Sequence, residues 1–198
     1  MEAEAFLQRV LSHLGASQEF SFSHWSHRGR PTEEAVGMLR IESDPSRLLA
    51  AVMDVDHYVG NVANVSACQS RADARFAAPA VRFYQRIEIP VLGALQHELV
   101  LRPLGEHQGF LCAGWDLLAE ETNALDPKRG ARSEYNHGVW LAGNGKVGYA
   151  LGSAPKRDDV GLLKWKALTS GADVAAPKVI RQNIEGMAKW AARRGARA

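Results

Sequence analysis

The chain has 198 residues, with 24 Lys and Arg against 22 Asp and Glu, a formal net charge of +2. Hydrophobic residues make up 46% and charged residues 23%, which excludes a disordered chain, a fibrous repeat and a disulfide scaffold. The near-balanced charge gives no push toward nucleic acid, and none is expected as a partner.

Two cysteines, Cys68 and Cys112, are too few for a disulfide framework and fit a reducing compartment. No run approaches the ~20 consecutive apolar residues of a membrane span. The acidic opening from Met1 to Ala5 is unlike a secretory signal, so a cytoplasmic location is expected. At this length a single domain over residues 1–198 is expected.

The first element is a helix over about 2–14, with Phe6, Val10, Leu11 and Leu14 on one face and Gly15 as its stop. From Gln18 to Trp25 the pattern alternates, Phe20, Phe22 and His24 against Ser21, Ser23 and Trp25, which predicts a strand. Gly29-Arg30-Pro31 is a turn, and a second strand covers Glu34 to Glu42.

Asp44 and Pro45 suit the N-cap and first position of a short helix that buries Leu48, Leu49 and Val52. Asp54 to Val62 forms a second short helix or turn, with Tyr58 and Val59 inward.

Six strands follow, near Val65–Arg71, Val81–Ile89, Leu95–Arg102, Phe110–Glu120, Arg132–Ala142 and Lys146–Gly152. Thr122 to Ala131 is a loop. Asn144-Gly145 is the strongest hairpin signal in the chain.

A long helix from Pro177 to about Arg194 carries Ile180, Ile184, Met187 and Ala191 at helical spacing. Leu162 to Leu168 is either its first part or a separate turn. Hairpin-linked strands with helices grouped at the ends make the fold α+β.

Gly143 to Gly148 matches G-x-G-x-x-G by letter. The residues after it are strand, whereas a dinucleotide site needs a helix there, so it reads as a hairpin turn and no cofactor is expected. His24 and His27 fall on opposite faces of a strand, and no metal site is expected. Cys68 and Cys112 read as structural thiols. Neither G-x-S-x-G nor H-E-x-x-H occurs. The basic stretch from Lys189 to Arg197 suits a solvated helix end. Transient contact with a membrane is the other reading kept for it.

This order of elements resembles the helix-grip fold of the START-like (SRPBCC) superfamily. Ile41 to Pro45 with Leu48, Val52, Asp54, Val55 and Tyr58 is similar to its strand and short helix. Tyr84 to Pro90 with Leu99 to Arg102 is similar to its central hairpin. Arg132 with Gly138-Val139-Trp140, Val147 to Tyr149, Val160 to Leu163 and Ala176-Pro177 resemble its last strands and the start of its long helix.

The resemblance covers about residues 18–194. It implies a curved antiparallel sheet wrapped around a long C-terminal helix, with an internal hydrophobic cavity for a lipid, sterol or polyketide-like molecule.

Taking the more apolar face of each strand as concave places Phe83, Gln85, His97, Trp115, Tyr135, His137 and Tyr149 among aliphatic neighbours. These are the candidate ligand-binding residues, a mostly apolar lining with a few polar tips. A one-residue register error swaps every face, and Tyr84, Arg86, Arg132, Glu134 and Trp140 would then point inward. The first functional reading is a non-catalytic carrier of a hydrophobic small molecule. The alternative is a polyketide aromatase/cyclase-like enzyme of the same fold. A solid core that takes no ligand is the third reading.

Overall fold

The computed structural model describes residues 2–15, 19–89, 93–171 and 176–195. Gln18, Pro90, Ala196 and Arg197 lie outside the described residues. Eight strands form one curved, unclosed sheet: β1 (Phe20–Trp25), β2 (Glu34–Arg40), β3 (Val65–Arg71), β4 (Val81–Ile89), β5 (Gly93–His107), β6 (Phe110–Leu117), β7 (Ala131–Gly143) and β8 (Lys146–Pro155).

Their order is β1-β2-β8-β7-β6-β5-β4-β3, antiparallel between neighbours. Where β6 ends, β5 and β7 meet in a short parallel pairing at Leu95/Ala131 and Gln96/Arg132. Between β7 and β8, Asn144 and Gly145 have φ of 53° and 65°. Two consecutive positive φ values define the type I′ turn that suits the strand twist, so the glycine-rich segment is a hairpin.

Among the described residues six α-helices accompany the sheet: α1 (Glu2–Ser12), α2 (Pro45–Met53), α3 (Ala119–Asn123), α4 (Arg157–Val160), α5 (Leu162–Gly171) and α6 (Ala176–Gly195). Asp44 accepts the Arg47 N–H at 3.0 Å and Pro45 follows it, so α2 starts where its cap chemistry requires. The strand expected over Phe110–Glu120 stops at Leu117, and Ala119–Asn123 turns helical. A 3-10 turn at Pro127–Arg129 occupies the expected loop. Val59, expected inward, is 52% exposed, whereas Tyr58 beside it is buried.

The sheet carries helices on both faces. On the concave face α6 buries Ile180, Ile184, Met187 and Ala191 against β2, β8 and α2. On the convex face α1 sets Phe6, Leu7 and Val10 against Val36, Met38, Val139, Leu141 and Ala150. The basic end of α6 folds back onto the domain. Arg194 pairs with Asp54 at 2.7 Å, Arg193 donates to Asn61 at 2.7 Å, and Trp190 is buried.

A buried carboxylate fastens α1. Glu34 on β2 accepts two hydrogen bonds from Arg9 at 2.9 and 2.7 Å and one from Trp25 Nε1 at 2.8 Å. A fourth contact, at 3.0 Å, is with His137 Nε2. Burial alone would raise the Glu34 pKa. The hydrogen bonds from His137, Arg9 and Trp25 outweigh it and hold the carboxyl at about 2.

Candidate functional site

Strand register decides which side chains face α6. Gln85 stands opposite His97, and Phe83 opposite Leu99. Trp115 stands opposite Gly138, Trp140 opposite Tyr149, and Asn136 opposite Ser153. Phe83, Trp115, Trp140 and Tyr149 belong to the core on the α6 side. Five of the expected site residues, Phe83, Gln85, His97, Trp115 and Tyr149, therefore share the concave face.

Tyr135 and His137 do not. Gly138 and Trp140 pair with Trp115 and Ala113 on the α6 side, so the regular alternation puts Tyr135, His137 and Val139 on the other face, and the bulge between Ser133 and Tyr135 turns Ser133 inward. Tyr135 then hydrogen-bonds Thr32, and His137 contacts Glu34 and packs edge-on to Phe6 with centroids 4.7 Å apart. Both belong to the convex layer under α1. Trp140, Asn136 and Ser133 take the inward positions instead.

The inward polar residues make one connected chain. Gln85 Oε1 lies 2.9 Å from His97 Nε2. An amide oxygen only accepts, so Nε2 carries the imidazole proton and Nδ1 is the acceptor. Nδ1 receives the Ser133 hydroxyl at 3.0 Å and the Asn136 amide at 3.3 Å. Asn136 Oδ1 in turn accepts Trp115 Nε1 at 2.8 Å.

His97 is fully buried, and burial lowers its pKa to about 3. The ring is neutral near pH 7, as the hydrogen-bond pattern requires. Burial also pushes the Tyr149 hydroxyl well above its ordinary range and raises the Cys68 thiol to about 12. Cys68 is therefore a protonated thiol and a poor nucleophile.

Two polar groups at this patch lack partners. The Gln85 amide nitrogen has no hydrogen bond among the described residues. Ser153 Oγ is buried and unpartnered. Around them, Tyr149 and Leu151 on β8, Ile87 on β4 and Leu117 on β6 remain only half-buried, although β8, β6 and β4 are all interior strands. The opposite face of β8, at Gly148, Ala150 and Gly152, is fully buried. On the α6 side these half-buried apolar side chains stand on the same face as the polar chain.

Trp115 lies between the two parts. Its ring stacks on Tyr149 at 5.5 Å, while its N–H belongs to the polar chain. Sequence reading missed Ser133, Asn136 and Ser153. Ser153 continues the alternation of Val147, Tyr149 and Leu151 one step past the expected strand end, Asn136 shares the parity of Trp140, and Ser133 alone depends on the bulge, which leaves no compositional mark.

No family model matches the sequence, and neither does any curated protein. Solved structures do match. Human STARD10 is 13% identical over 96% of this chain and 79% of its own, with a TM-score of 0.73. The STAR-related lipid transfer protein of Xanthomonas axonopodis is 11% identical over 90% of this chain and 96% of its own, with a TM-score of 0.69. The di-domain ARO/CYC StfQ of the steffimycin biosynthetic pathway is 11% identical over 82% of this chain and 51% of its own, with a TM-score of 0.51. At these identities the likeness is one of fold. With its unclosed antiparallel sheet, its C-terminal helix across the concave face and these neighbours, the chain has the START-like helix-grip fold.

Proposed function

We propose that the protein binds a hydrophobic small molecule between the concave face of the sheet and α6. One observation carries this reading. Tyr149, Leu151, Ile87 and Leu117 keep accessible surface on interior strands, beside an amide and a hydroxyl that lack partners. A filled core buries such side chains and satisfies such groups.

Burial of an alkyl chain contributes about 0.8 kcal/mol per CH₂. A sixteen-carbon chain gains on the order of 10 kcal/mol gross, reduced by association and ordering costs. The lipid-transfer name of the Xanthomonas axonopodis neighbour supports the same class of ligand.

The aromatase/cyclase-like reading finds no support at His97. Both its ring nitrogens are engaged, and burial keeps its proton affinity far below neutrality. Its role is to hold Gln85 and Asn136 in place.

The ligand must be collected from somewhere, and α5 supports a bilayer as the source. Leu162 and Leu163 are 46% and 85% exposed and are followed by the exposed Lys164 and Lys166. Apolar side chains flanked by cations suit an anionic lipid surface. The proposal is tested by native mass spectrometry of the purified protein, followed by organic extraction. A co-purifying or added apolar molecule should appear as a one-to-one adduct.

A further inference from the structure

We infer that the molecule held at this site is an uncharged amphiphile, one whose head is a hydroxyl, ester or ketone rather than a carboxylate or phosphate. The inference rests on the binding reading above. It starts from the polar groups that the site contains.

Gln85, His97, Ser133, Asn136 and Ser153 are amides, hydroxyls and one imidazole. Among the described residues the strand register puts one charged side chain on this face of β4 to β8, Glu106, which lies opposite Leu111 at the far end of β5 from His97 and is an anion rather than a cation. The other charged residues of these strands face the other way. Arg82 pairs with Glu98 at 3.1 Å, Arg102 with Asp116 at 3.0 Å, and Arg132 with Asp159 at 2.7 Å.

An anionic head placed here would leave water without a cation to meet it, and a buried charge without a partner is strongly disfavoured. His97 does not supply that cation. Its Nε2 proton is already given to Gln85, and its Nδ1 is the acceptor for Ser133 and Asn136. Protonating Nδ1 would set a proton against two donors.

What the patch does offer is hydrogen-bond donation. The amide N–H groups of Gln85 and the hydroxyl of Ser153 are unspent. They stand on β4 and β8, with β5 and β7 between them, so each suits a neutral oxygen of its own that accepts a hydrogen bond. The Gln85 oxygen is held by His97, so the amide cannot turn over to present an acceptor without breaking that bond. The same fixed orientation also disfavours a cationic head, which needs acceptors.

The test uses the full chain and two ligands of equal chain length, monomyristoylglycerol and myristate. Both compete against one fluorescent apolar probe at pH 8, where the carboxylate is ionised. The neutral ligand should bind at least tenfold more tightly. Gln85→Leu should weaken it several-fold while leaving myristate unchanged, and Gln85→Lys should narrow or reverse the preference. Equal or tighter binding of myristate to the unaltered protein overturns the inference but leaves the binding reading standing. If neither ligand displaces the probe, and the probe itself does not bind, both readings fall together.

Discussion

The indole of Trp115 lies over Gly138 on the neighbouring strand, so closely that a Cβ on that glycine would stand 2.1 Å from Cζ2. The same Cβ would meet the backbone oxygen of Ala150 at 2.5 Å, and a backbone atom cannot swing aside. The absence of a side chain at residue 138 is therefore what lets the ring lie flat and reach Asn136. Gly138→Ala should destabilise the protein by about 1–3 kcal/mol and tilt the indole off Tyr149. Denaturant unfolding together with the near-ultraviolet dichroism of the aromatic residues will show both effects. An unchanged midpoint would contradict the packing.

Acid should weaken the fold through His97 before it acts through Glu34. Burial lowers His97 from 6.5 to about 3. Below pH 6.5 the unfolded chain takes up a proton that the folded chain refuses. The stability is therefore complete above pH 6.5 and is lost as pH falls toward 3. Glu34 moves from 4.5 to about 2, so its contribution is present above pH 4.5 and is lost only below that. Between pH 6.5 and 4.5 the loss should run at roughly 1 kcal/mol per pH unit. His97→Gln should flatten it. Unfolding midpoints at pH 4.5, 5.5 and 6.5 measure the slope, and a slope that persists in the variant would assign it to another group.

Glu34→Gln should loosen α1. The substitution leaves Arg9 without its bidentate carboxylate partner and weakens the bond from Trp25. Breaking one side of a buried pair costs about 3–5 kcal/mol, reduced here because Arg9 is partly exposed. Amide exchange at Phe6, Leu7 and Val10 should quicken, while exchange in α6 should hardly change. Equal acceleration in both helices would mean that α1 is not a separate unit.

Much of this fold is readable from single residues. Asp44-Pro45 opens α2, Asn144-Gly145 turns β7 into β8, and Ile180, Ile184 and Met187 mark the buried face of α6, each through chemistry confined to a few neighbours. The faces of β4, β5, β6 and β8 were also legible. On β8 the large Val147, Tyr149 and Leu151 alternate with Gly148, Ala150 and Gly152, so size alone separates the sides.

On β7 every residue from Tyr135 to Gly143 is buried, because α1 packs on one side and α2 on the other. A strand buried on both faces has no polar side to read, and the bulge at Ser133/Tyr135 hides only the orientation of Ser133. Tyr135 and His137 were misplaced for that reason. The Glu34–His137 contact joins residues 103 positions apart, and no local pattern encodes it.

Leu163→Asp should abolish adsorption to vesicles containing anionic lipid without changing the unfolding midpoint, since Leu163 is 85% exposed. Lys164→Glu with Lys166→Glu should weaken adsorption mainly at low salt, because screening already removes most of that attraction at high salt. Co-sedimentation with phosphatidylcholine vesicles, with and without phosphatidylserine, separates the two contributions. Adsorption that is indifferent to all three substitutions would move the contact elsewhere on the surface.

The measurement that bears most directly on the binding site is energy transfer from tryptophan to a fluorescent sterol with a free hydroxyl. Trp115 is the tryptophan whose ring and N–H both belong to the site. The account predicts saturable one-to-one transfer, reduced in Trp115→Phe and reduced further when Trp140, 4.5 Å from Tyr149 on the same face, is also replaced by Phe, with Trp115→Phe still folding cooperatively. Absence of saturable transfer in the unaltered protein, together with a native mass spectrum that holds only the bare chain after incubation with the sterol, would contradict it and leave this face a packed core.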